Sequence, residues 1–157
     1  MKAISNGISS IEKILSMILM FSMAVIVTLA VGFRYILNSP LSWAGKASIF
    51  LLIWISFIGG SLGLKYKSQA SVTIVLEYVS SKVKRIILIL GHMIMLVFLV
   101  LLIYYSISWI LSPSVAYQKS TAMLIPMWIP YSAVPLGLSF AGIHVLSNLF
   151  DLVKEGK

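Results

Sequence analysis

Four stretches without a single charged side chain, residues 14–33, 47–64, 86–118 and 120–150, constrain this chain more than any other feature. At about 1.5 Å of rise per residue, each is long enough as an α-helix to cross the roughly 30 Å of hydrocarbon in a bilayer. A helix satisfies its own backbone donors and acceptors, as a segment surrounded by lipid requires. Composition points the same way. Of the 157 residues, 60% are hydrophobic and 10% charged, with a mean hydropathy of +1.04, whereas soluble domains carry about 25% charged residues. The fold class that follows is an all-α integral membrane protein: one domain, four transmembrane helices, and short amphipathic helices on the inner surface.

Prolines trim the two longest runs, because proline removes a backbone donor and restricts the residue before it. Pro113 ends the third span near Ser112, and Pro126 and Pro130 delay the fourth to about Tyr131. The predicted spans are about 14–37, 44–64, 86–112 and 131–150. The first ends in Phe33-Arg34-Tyr35 and has no small-residue cleavage site, so it reads as a retained helix and not as a secretion signal. Amphipathic helices are predicted at about 4–13, with Ile4, Ile8, Ile11 and Leu15 opposite Ser5, Asn6, Ser9 and Glu12, and at about 70–83.

Nine of the twelve Lys and Arg residues fall in the N-terminal segment, the second connection and the tail; Arg34, Lys46 and Lys119 fall on the other side. Basic residues are retained on the cytoplasmic side, which predicts cytoplasmic termini. Tyr35, Trp43, Trp109, Tyr117, Trp128 and Tyr131 gather at the predicted outer boundary, where amphipathic rings favour the headgroups. The net charge of +8 is spread singly between apolar runs and does not line one face, so it points to topology and lipid contact and not to nucleic acid.

With no cysteine, disulfides, thiolate catalysis and Cys-ligated metals are excluded. The four acids, Glu12, Glu77, Asp151 and Glu155, all fall outside the predicted spans, so a carboxylate relay or cation ligand inside the membrane is not expected. His92 and His144 lie within spans, but two imidazoles make an incomplete metal site; an interhelical hydrogen bond or interfacial placement suits them better. Serine, histidine and acid residues are not expected to gather at one depth, and the chain reads as a non-enzyme without a cofactor. Gly59 and Gly63 form a G-x-x-x-G pair that lets helices approach closely, a pattern also common by chance in membrane helices. Trp54, about 12 Å beyond Lys46, is too deep for the interfacial belt; it fills a four-helix core or meets another membrane protein.

The string Phe33-Arg34-Tyr35-Ile36-Leu37-Asn38-Ser39-Pro40-Leu41-Ser42-Trp43, followed by Trp54 and Gly59-Gly60, resembles the signature of the small membrane subunit of tripartite ATP-independent periplasmic (TRAP) transporters. Residues 116–127 and 131–137 look like that family's outer loop and fourth-helix entry, and the resemblance runs from about Glu12 to Leu149. The sequence departs from the pattern at Gly45 and Lys46, where the family usually has glutamates, and at Gln69 and Thr73. The resemblance implies three proteins. A soluble periplasmic protein captures an organic acid, a large multispanning permease carries it inward on a sodium gradient, and the small subunit braces the permease. On this reading Arg34, Trp54, Gly59 and Gly63 are candidate subunit contacts, and Trp43, Lys46, Gln118 and Lys119 are candidates for docking the binding protein. Simple snorkelling of Arg34 and Lys46 to the headgroups is the competing account. A self-contained oligomeric transporter or channel, and the small subunit of a tripartite tricarboxylate system, are the alternative functions.

Overall fold

In the computed structural model, residues 1–66 and 80–154 are described. They form α1 (Lys2–Tyr35), α2 (Ala44–Lys65), α3 (Ser81–Ile110), α4 (Pro113–Ala116), α5 (Trp128–Tyr131) and α6 (Ala133–Lys154). Four apolar helices are long enough to span a membrane, the last running through α5 and α6. Most of the predicted amphipathic segment at 70–83 lies outside the described residues. Pro113 closes α3 as its position requires, then opens α4 at a site where its missing N–H costs nothing.

The expected surface helix at 4–13 is not a separate element. It runs without a break into the first span as one helix of 34 residues, about 50 Å long. Its polar face is turned inward against the other helices and not toward the surface. Ser5, Ser9 and Glu12 are buried, whereas Ile4 and Ile11 are exposed. In lipid an apolar stripe can face outward at no cost, while polar groups must turn inward to find partners.

The long helices form a layer. α1 packs along α2, α2 along α6 and α6 along α3, with only a slight approach of α1 to α6. α6 approaches α2 closely at Gly137, where an added Cβ would lie 2.7 Å from the Phe57 Cβ of α2. A small hydrophobic core, Leu99 with Ala141 and Val145, joins α3 to α6. Much of the apolar surface stays open: Phe21 of α1 and Ile94 of α3 are 72% and 70% exposed.

Candidate functional site

At the end where α1 begins and α6 finishes, polar side chains tie three helices together. His144 of α6 is fully buried, with Nε2 2.8 Å from Glu12 Oε2 and Nδ1 2.7 Å from Ser5 Oγ. Nε2 thus faces the Glu12 carboxyl group and Nδ1 the Ser5 hydroxyl, the donor at each contact being set by the protons the ring carries. Lys65 at the end of α2 donates to the Ser5 carbonyl at 3.1 Å, to Asn6 Oδ1 at 3.0 Å and to the Ser9 hydroxyl. Asn148 Nδ2 of α6 donates to the Leu64 carbonyl at 3.1 Å. Just beyond α2, Tyr66 is flanked by Lys13 and Lys65, at 5.2 and 5.8 Å from its ring. A hydrogen bond from Lys13, and then the two positive charges, hold the phenol below its ordinary pKa.

Two expectations are corrected here. A carboxylate is enclosed in the helix layer, because Glu12 belongs to the continuous α1 and is fully buried against His144. Serine, histidine and acid also do gather, as Ser5, His144 and Glu12. That alignment superficially matches a hydrolase triad. However, Ser5 is only 5% exposed and its hydroxyl is turned into a helix interface, which leaves no approach for an electrophile. His144 makes the interhelical bond expected of it, while Nδ1 of His92 bonds within its own helix, 2.7 Å from the Leu88 carbonyl. Among the described residues, no group of three or more His, Cys, Asp and Glu could hold a metal. The sequence did carry a signal for the Glu12 site: Ser5, Ser9, Glu12 and Ser16 recur at helical spacing and form one polar stripe.

At the opposite end, a loop folds back on itself. Ser120 N–H donates to the Ile125 carbonyl at 2.9 Å, and Met127 N–H to the Gln118 carbonyl at 2.9 Å. Leu124 takes φ 56°, a left-handed conformation that costs a leucine energy and that the surrounding turn imposes. The loop sets Gln118, Lys119 and Ser120 beside Lys46 and Phe50 of α2 around a pocket of about 180 Å³. Three of the four docking candidates thus meet in one place; the fourth, Trp43, is half-exposed at the start of α2.

The subunit-contact candidates are dispersed. Trp54 lines an open apolar groove of about 410 Å³ between α1, α2 and the loop, so it fills no enclosed four-helix core. Gly59 is exposed and a Cβ there would meet nothing within 4 Å, so the chain's own tight crossing uses Gly137 instead. Gly63 lies one turn further along the same helix. Arg34 is exposed at the far end of α1, its guanidinium 5.7 Å from the Tyr35 ring centre.

Residues 23–155 match the family described as the DctQ component of tripartite ATP-independent periplasmic transporters. The chain belongs to that family. It is 22% identical to the sialic acid TRAP transporter small permease protein SiaQ of Vibrio cholerae, over 98% of this chain and 88% of the relative. A putative TRAP transporter small permease protein of Haemophilus influenzae is 28% identical over 95% and 89% of the two chains. The isethionate TRAP transporter permease protein DctMQ of Oleidesulfovibrio alaskensis is 23% identical over 71% of this chain but only 18% of its own length. This DctQ-family chain is therefore a multi-pass small permease subunit, and its relatives are transporter subunits and not enzymes.

Proposed function

We propose that this small subunit braces the large multispanning permease of a TRAP transporter in the inner membrane, its termini cytoplasmic, while the permease takes up an organic acid on a sodium gradient. The observation that carries this reading is the layer arrangement. Four helices in one row bury little of their own apolar surface, and they leave Gly59 open at mid-span, where a second membrane protein can pack against small residues. The permease relative in which a segment like this chain makes up 18% of a much longer protein supports a fixed partnership of the two units. The rim formed by Trp43, Lys46, Gln118 and Lys119 is the face we assign to the periplasmic binding protein, held weakly and in a salt-sensitive way by exposed charges.

Co-expression with a large TRAP permease subunit from the same source tests the reading. A tag on this chain should retain the permease in detergent, and leucine at both Gly59 and Gly63 should release it; retention by that variant would point to another face. Proteoliposomes holding this chain alone should take up no solute under a sodium or proton gradient. Saturable uptake by them would favour the self-contained carrier instead.

A further inference from the structure

We infer that the loop end of the layer is a phospholipid site, with the phosphate at Lys46 and Lys119 and one acyl chain along the α1–α2 groove. It goes beyond the bracing role, since the ligand is a lipid and not a subunit. The polar pocket and the apolar groove share Phe50 and so form one amphipathic cavity. The upper part is lined by Lys46, Gln118, Lys119 and Thr121. Lys46 and Lys119 are exposed at its rim, and Lys46 lies in the first turn of α2, where the helix end also favours an anion. These are the donors that a phosphate oxygen accepts from.

Below the pocket, the groove extends from Ala47 to Trp54 along α2 and from Leu15 to Ile26 along α1. The longer side covers about 16 Å, close to the hydrocarbon depth of one leaflet. Its lining is apolar apart from Ser22. An acidic side chain of a soluble partner, or a free phosphate, could occupy the pocket but would leave the groove unfilled; an acyl chain continues from one into the other. A phosphodiester carries one negative charge against two lysines, so the rim stays cationic and the docking assigned to it is not displaced.

The full chain in nanodiscs, with Trp43, Trp109 and Trp128 changed to Phe so that Trp54 alone fluoresces, tests the site. Phosphatidylglycerol brominated on its acyl chains should half-quench Trp54 at a mole fraction about fivefold lower than brominated phosphatidylcholine, whose choline offsets its phosphate; the factor corresponds to about 1 kcal/mol for a lysine near an anionic headgroup. Lys46→Gln with Lys119→Gln should remove that preference while quenching by the phosphatidylcholine probe stays unchanged, which shows that the groove is intact. Equal quenching by both lipids in the parent, or a preference that survives the double substitution, overturns the proposal. Loss of the preference on adding inorganic phosphate would make the pocket a free-anion site, and loss of all quenching when the large permease is bound would make the groove a subunit contact. Either result also refutes it. If the tryptophan changes disturb folding, native mass spectrometry of the otherwise unaltered chain reads the same difference: phosphatidylglycerol retained by the parent and lost from K46Q/K119Q.

Discussion

The two ends of the helix layer hold themselves together in opposite ways. Where α1 begins and α6 finishes, Ser5, Glu12, Lys65 and His144 reach across helices and bond one another, with Glu12 and His144 sealed from the surroundings. At the loop end, Lys46, Gln118 and Lys119 stand around an open pocket, and the Ser120 hydroxyl beneath them is unpartnered. Polar groups in a membrane are costly unless paired. The first end meets most of that cost through bonds between helices, with Glu12 Oε1 left unpartnered among the described residues, and is structural; the other sets exposed lysines around an open pocket, and function is expected there.

The largest effect should come from breaking the buried pair. Glu12→Ala or His144→Ala leaves its partner enclosed and uncompensated, with an expected loss of about 3 kcal/mol in a denaturation titration of the chain in detergent micelles. The double substitution should cost clearly less than the two single losses added together, because the pair acts as a unit. Additive losses would mean that the two residues are not coupled. Gly137→Ala should follow, at about 1–3 kcal/mol, since the new methyl group meets Phe57 at its Cβ and backbone and something must shift. Gly59→Ala, with open space around it, should leave the same titration unchanged within about 0.5 kcal/mol. A large effect there would mean that α2 is already packed on that side.

Lys65→Met should cost about 1–2 kcal/mol, because it removes three hydrogen bonds to α1 at a partly exposed position. The smallest effect sharpens the contrast most. Lys46→Gln with Lys119→Gln should alter stability by less than about 0.5 kcal/mol, as expected for exposed surface charges. The same change should reduce uptake by the complete transporter at low salt. If it destabilised the chain as strongly as the loss of His144, the two ends would not differ in kind.

Sequence and three-dimensional structure contributed different parts of this picture. The number of long helices, their all-α character and the end of α3 ahead of Pro113 were legible in the chain itself, because lipid imposes a local requirement: each crossing must satisfy its own backbone; Pro130 instead sits inside α5, where the fourth crossing begins at Trp128. The grouping of Lys46 with Gln118 and Lys119 was half legible, since both segments leave the membrane on the same side. Their convergence on one pocket depended on the fold-back at 118–127. The inward turn of Ser5, Ser9 and Glu12 could not be read from periodicity. A helical repeat gives two faces, and it takes a partner such as His144, 132 positions away in sequence, to decide which one is inside. The choice of Gly137 over Gly59 for the tight crossing is of the same kind. Spacing marks where backbones could approach, and only the order of helices in the layer, α1, α2, α6, α3, settles which of them do.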